Sequence, residues 1–124
     1  MANTLPLIAV VDDDASVLKA LTRLLRARGF DAVPYGSAQE FLEALPVGGP
    51  DCLIVDLQMP GMTGLELLQL LQRRGLNIPT VVITAQADTD VLERCVSAGA
   101  SSYLKKPLQD TSLLAAIDAA CNGR

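Results

Sequence analysis

Four strand-like segments of this chain, three of them apolar runs, end in groups that handle metal ions or phosphate. Leu5 to Val11 ends in Asp12, Asp13 and Asp14; Cys52 to Val55 ends in Asp56; Pro79 to Ile83 ends in Thr84; and Ser101 to Leu104 is followed by Lys105 and Lys106. A carboxylate closing a covered strand is costly unless it is solvated, paired or bound to metal. Two or three carboxylates gathered at one place repel by roughly 4 kcal/mol per pair at about 4 Å and an effective dielectric near 20, so something must offset them. A hard divalent cation such as Mg²⁺ does so, taking one or two carboxylates while keeping waters and room for a phosphoryl oxygen. With a hydroxyl and an ammonium beside it, such a cup suits phosphoryl transfer to a carboxylate nucleophile, giving an acyl phosphate. Asp56 stands alone on its loop and is the nucleophile of choice. Asp12 and Asp13 are a ready metal pair, Thr84 supplies a hydroxyl, and Lys106 adds a second positive charge.

Taken singly, each residue has a plainer reading. An isolated strand-end aspartate is usually solvated, Thr84 is an ordinary β-branched strand residue, and Lys106 beside Lys105 reads as a wet surface pair. Tyr103 is balanced between core packing and a functional role. Asp14 reads as a helix cap rather than a ligand. The combination carries the chemistry, and it requires a fold that converges these chain segments.

The runs themselves indicate that fold. LPLIAVV, CLIV and PTVVIT are continuous rather than alternating, as in strands covered on both faces. Phe30 to Pro34 is a brief strand at an edge, because Pro34 cannot donate to a ladder, and Ser101 to Leu104 is a weaker one. Between them lie helical patterns. The first carries Val17, Leu18, Leu21, Leu24 and Leu25 inward, capped by Asp14 or Ser16 and ended by Gly29. A short second has Ser37 and Glu40 as a capping box and bears Phe41, Leu42 and Leu45. A third follows Gly64 with Leu65, Leu68 and Leu71, or Leu67 and Leu71, inward. A fourth carries Val91, Leu92, Cys95 and Val96, capped by Asp88 or Asp90 and closed by Gly99. A last is capped by Asp110 or Thr111 and holds Leu113, Leu114, Ile117 and Cys121. PVGGP, Pro46 to Pro50, is the most irregular linker. Fivefold alternation implies a parallel sheet with helices on both faces, whose strand ends share the edge where open α/β folds keep their sites.

Composition narrows the function. The 124 residues fit one domain, 1–124, with half of them hydrophobic and 19% charged, which speaks against disorder. A formal net charge of -4 disfavours charge-driven attraction to DNA or anionic membrane. No apolar run is long enough to span a bilayer. The Leu5 run lacks the basic start and cleavage pattern of a signal peptide, so a cytoplasmic location is expected. Cys52, Cys95 and Cys121 read as buried thiols. The absence of histidine excludes imidazole ligands and imidazole acid/base chemistry.

VVDDD at 10 to 14, LIVDLQMPGMTGLELL at 53 to 68, PTVVITAQAD at 79 to 88 and AGASSYLKKPL at 98 to 108 together resemble a bacterial response-regulator receiver domain, most closely its FixJ-type group. The resemblance implies a flavodoxin-like (CheY-like) doubly wound sheet of order 2-1-3-4-5. It implies that Asp56 accepts a phosphoryl group from a phosphohistidine on a sensor histidine kinase, in a regulator that catalyses its own phosphoryl uptake and loss rather than an enzyme acting on a separate substrate. Mg²⁺ would be held by Asp13, Asp56 and the backbone carbonyl of Gln58, with Asp12 acting through water. Thr84 and Lys106 become phosphoryl ligands, Thr84 and Tyr103 the switch pair, and Lys106–Pro107 a cis peptide. Gln58 and Gln86 flank the route of a hydrolytic water and so bear on phosphate lifetime. The fourth helix and fifth strand become the output face, pairing with a second copy on phosphorylation. FixJ-type proteins usually carry a C-terminal helix-turn-helix that does not follow Cys121 here, so the resemblance implies either a receiver cut from a transcriptional regulator or a single-domain regulator, with no nucleic acid bound by the receiver itself.

Two other classes are weighed against this. A pseudo-receiver, an unreactive protein-binding module of the same fold, is disfavoured by the intact Asp12, Asp13, Asp56, Thr84 and Lys106 set. A haloacid-dehalogenase-like phosphatase needs a second acid where Gln58 stands, and a flavodoxin would have to bind phosphate on DDDAS, which repels it.

Overall fold

The structure is a computed structural model and describes residues 5–45, 49–85 and 88–122. Strands and helices alternate as β1 (Leu7–Val11), α1 (Ala15–Ala27), β2 (Asp31–Tyr35), α2 (Ala38–Ala44), β3 (Cys52–Asp56), α3 (Gly64–Arg73), β4 (Thr80–Thr84), α4 (Thr89–Ser97), β5 (Ala100–Lys105) and α5 (Asp110–Asn122). All strand pairs are parallel and the order is β2-β1-β3-β4-β5. This is the doubly wound sheet that the alternation and the resemblance implied.

The continuous apolar runs follow from position. β1, β3 and β4 lie inside the sheet with helices over both faces, and every residue of β3 and β4 is buried. Successive residues feed opposite cores. Leu53, Val55 and Val82 pack with Phe41 of α2, Leu67 of α3 and Leu92 of α4. Ile8, Val10, Ile54 and Ile83 pack with Leu25 of α1 and with Leu113 and Ile117 of α5.

Helix starts are set by side-chain acceptors for otherwise orphaned N–H groups. Asp14 caps α1 by accepting from the N–H groups of Ser16 and Val17, and Asp88 caps α4 by accepting from Asp90 and Val91. Thr63 and Glu66 form a complete capping box on α3. Gly29 follows α1 at φ +90°, a left-handed conformation that glycine adopts without steric cost.

Several expectations need correcting. β2 runs Asp31–Tyr35, one residue later than Phe30 to Pro34, because its pairing with β1 starts at Asp31 against Leu7. β5 extends from Ala100 to Lys105. Only half of the Ser37 capping box forms: Ser37 Oγ accepts from the Glu40 N–H, but the Glu40 carboxylate reaches back to the N–H of Gly36. α5 begins at Asp110, after the Gln109 carbonyl takes the first helical hydrogen bond, so Asp110 sits in the first turn at the positive end of the helix dipole and does not cap from outside. Val96 is 51% exposed, turned away from the core that takes Leu92 and Cys95. Cys121 is only partly buried. Of the PVGGP linker, Pro46, Val47 and Gly48 lie outside the described residues, as does Gln86.

Candidate functional site

Register places the acids. β1 and β3 pair with Val11 opposite Val55, so the residues that follow, Asp12 and Asp56, leave the sheet side by side. The ladder continues one step beyond each. The N–H of Asp12 donates to the Tyr35 carbonyl at 3.1 Å, and the N–H of Leu57 donates to the Ile83 carbonyl at 2.8 Å. On the far side, the Lys106 N–H donates to the Thr84 carbonyl at 2.8 Å, tying the β5–α5 loop to the end of β4. The result is a cup at the carboxyl edge of the sheet. Asp12 is fully buried, Asp56 is 5% exposed, and Asp13 is exposed at the rim. One carboxylate oxygen from each of the three lies within 4.8 Å of the others.

Each buried carboxylate divides its oxygens in the same way. Oδ1 of Asp12 accepts from the Asp14 N–H at 2.9 Å, and Oδ1 of Asp56 accepts from the Gln58 N–H at 3.1 Å. Their Oδ2 atoms both face the Lys106 ammonium, at 3.4 Å from Asp12 and 3.2 Å from Asp56. Burial pushes the Asp12 carboxyl above its ordinary value, and the Asp56 charge adds to the shift. The Asp14 N–H and Lys106 oppose it. Lys106 moves upward as well: desolvation is its largest single influence and acts downward, but the hydrogen bonds and charges of Asp56 and Asp12 together outweigh it.

The loop after Asp56 is held by close backbone packing. The Gly64 N–H donates to the Leu57 carbonyl at 3.0 Å. A Cβ at Gly64 would stand 2.6 Å from the Asp56 carbonyl oxygen and 2.9 Å from Leu57 Cα, so only glycine lets α3 start this close to the acid.

Asp12, Asp13, Asp56 and Lys106 therefore converge. Thr84 is buried as the last residue of β4, directly after Ile83, the register partner of Asp56. Gln58 touches the site through its N–H on Asp56. Tyr103 lies on β5 opposite Val82 and is 43% exposed. Strand alternation sets Tyr103 on the sheet face shared by Val82 and Thr84, on the α4 side. The Lys106–Pro107 bond is cis. Sequence reasoning passed over Thr63 with Glu66 and the tight approach of Gly64. The spacing T-G-x-E was a readable capping signal, whereas the backbone contact at Gly64 was not.

The clustered donors are carboxylate oxygens of three acids, and one ammonium faces two of them. Hard oxygen ligands with excess negative charge fit a small divalent cation of the Mg²⁺ type.

Comparison with known proteins points to one family. A family profile described as "Response regulator receiver domain" matches residues 8–118. Nodulation protein W of Bradyrhizobium diazoefficiens is 37% identical over 119 residues, which are 96% of this chain and 52% of that protein. The solved structure titled "Low Resolution Structure of Response Regulator StyR" superposes with a TM-score of 0.88 at 40% identity, covering 95% of this chain and 60% of that one. The structure titled "CRYSTAL STRUCTURE OF FIXJ-N" gives a TM-score of 0.88 at 35% identity over all of this chain and 98% of the other. The chain thus spans about half the length of the curated relatives it matches.

Proposed function

Given that the chain belongs to the response-regulator receiver family of two-component signal transduction, we propose that it is switched by phosphorylation of Asp56. The observation that carries the reading is that Asp56, with one oxygen held by the Gln58 N–H and the other turned toward Lys106, keeps some exposure in the cup where the similarly held Asp12 has none. The held oxygen fixes the carboxylate, and Oδ2 is the nucleophile. It attacks the phosphorus of a phosphohistidine on a partner sensor kinase; the O–P bond forms as the P–N bond breaks and the imidazole leaves. The Lys106 ammonium then exchanges its ion pair with the carboxylate for one with a phosphoryl oxygen, and the Thr84 hydroxyl donates to another. Asp12, Asp13, Asp56 and the Gln58 carbonyl are the residues that would hold Mg²⁺, which supplies charge neutralisation for the phosphoryl oxygens.

Phosphorylation acts by shifting a two-state equilibrium. Drawing Thr84 inward removes bulk from the sheet face it shares with Tyr103, and Tyr103 turns to follow. The altered face is α4 and β5, where Val96 and Tyr103 are 51% and 43% exposed, and a second copy of the chain pairs there. The switched face controls transcription, in keeping with relatives titled "Transcriptional regulatory protein FixJ" and "DNA-binding transcriptional regulator NtrC". No helix among the described residues is long and apolar enough to cross a membrane, and we place the phosphoryl exchange in the cytoplasm, where the free cysteines suit reducing conditions.

Incubation with a small phosphodonor and Mg²⁺ tests the reading. The wild type gains one phosphoryl group by intact mass and Asp56→Asn gains none. Equal uptake by Asp56→Asn would overturn it, and wild type that neither reacts nor binds Mg²⁺ would favour an unreactive binding module.

A further inference from the structure

At the opposite edge of the sheet from the acidic cup, two cysteines meet. Cys52 is the first residue of β3 and is fully buried. Cys121 is in the last turn of α5, partly exposed, and packs against the same core cluster as Cys52. α5 packs on β3, and Cys121 is the neighbouring side chain that acts on the Cys52 thiol, while Cys95 sits in the other core, on α4. Both are reduced in the structure. Two thiols at one end of the same core, on elements that already pack together, meet the first condition for a bridge, one that most cysteine pairs fail.

We propose that Cys52 and Cys121 form a reversible disulfide with small disulfide oxidants of the glutathione type, fastening the end of α5 to the amino end of β3. The accessible partner reacts first. The Cys121 thiolate attacks one sulfur of the oxidant, forming a mixed disulfide and releasing one small thiol. The Cys52 thiolate then displaces the second small thiol from Cys121, closing the protein disulfide. Two thiol protons leave the protein and are taken up by the two released small thiols, so the protein is oxidised by two electrons and the oxidant reduced by two. Desolvation holds the Cys52 thiol protonated, so the second step is the slow one and runs faster at alkaline pH. A link between residues 52 and 121 closes a long loop of chain and restricts the unfolded ensemble. It leaves the phosphoacceptor edge untouched.

The test is oxidised glutathione added to the native full chain at mildly alkaline pH, followed by non-reducing peptide mapping. The expected product has lost two hydrogens, contains a Cys52–Cys121 linked peptide, retains a free Cys95, and unfolds at a higher urea concentration than the reduced protein. Dithiothreitol reverses both changes. Cys121→Ser, at a partly exposed position that tolerates the change better than Cys52, gives the same urea midpoint with and without oxidant and takes up phosphoryl groups like wild type. A stable glutathione adduct on Cys121 with no internal link would overturn the proposal, as would links confined to Cys95 or to pairs of chains, or a midpoint that falls on oxidation.

Discussion

The ammonium of Lys106 lies 3.2 Å from Oδ2 of Asp56, across a separation of 50 residues in the chain, and the same nitrogen lies 3.4 Å from Oδ2 of Asp12. Lys106 thus holds together two carboxylates that register forces side by side. It also occupies the oxygens that a divalent cation would compete for.

Replacing Lys106 with Met separates these roles. Without the ammonium, Mg²⁺ meets less competition, and its affinity, read by titration, is expected to rise several-fold. Phosphoryl uptake from a small donor is expected to fall by about tenfold or more, as for loss of a charged group stabilising a transition state. The metal-free variant leaves the buried Asp12 and Asp56 carboxylates without their shared cation, so its urea midpoint in EDTA is expected to fall by more than the roughly 1 kcal/mol of an exposed pair. Weaker Mg²⁺ binding in Lys106→Met would contradict this assignment.

Asp12 carries the opposite sign. Its carboxyl is raised by burial first and by the Asp56 charge as well. A carboxyl raised in the folded state contributes stability below its unfolded value and loses it as pH climbs through the folded one. At neutral pH without metal, ionised Asp12 is therefore a cost. Asp12→Asn is expected to raise the urea midpoint in EDTA, and this advantage should shrink when Mg²⁺ is added. A midpoint lowered in EDTA would show that the ion pair with Lys106 outweighs burial.

Gly64→Ala is expected to disturb the site without touching its chemistry. The added Cβ meets backbone at 2.6 and 2.9 Å, which has no flexible end to move aside. A loss of about 1–3 kcal/mol follows from such overpacking, measured by urea unfolding, with slower phosphoryl uptake because Asp56 belongs to the backbone being pushed. Unchanged stability and uptake would mean that the β3–α3 turn yields freely.

How much of this was readable beforehand depends on what set each feature. Interior strands were legible because burial on both faces demands the uninterrupted runs at Leu53 to Val55 and Val81 to Ile83. The edge position of β2 was legible from Pro34. The meeting of Asp12 with Asp56 followed from topology once the strand order was granted. Val96 was misread because helical periodicity alone does not say how wide a stripe the neighbouring elements cover, and α4 buries only Leu92 and Cys95 fully. The Glu40 carboxylate reaching Gly36, the close approach of Gly64 and the contact of Cys52 with Cys121 depend on backbone placement to within an ångström. No spacing rule reports that.

Cys52 sets an alkaline limit. Burial, reinforced by Cys121, pushes its thiol up to about 12. Unfolded thiols ionise near about 8.5. Above that pH the unfolded chain gives up a proton that the folded chain keeps, so stability is full below it and declines toward about 12. Under reducing conditions the decline is expected to approach about 1.4 kcal/mol per pH unit at its steepest. Cys52→Ala should flatten the plot of urea midpoint against pH over that range, whatever its absolute stability. A parallel plot would show that Cys52 ionises as readily folded as unfolded.

The most direct test is to trap the phosphorylated carboxylate chemically. Borohydride reduces an acyl phosphate to an alcohol, converting a phosphorylated aspartate into homoserine, and peptide sequencing by mass spectrometry then locates it. After exposure to a small phosphodonor and Mg²⁺, homoserine is expected at position 56 and nowhere else. Homoserine at 12 or 13, or none at all in protein that has gained phosphate, would contradict the assignment of Asp56 as the acceptor.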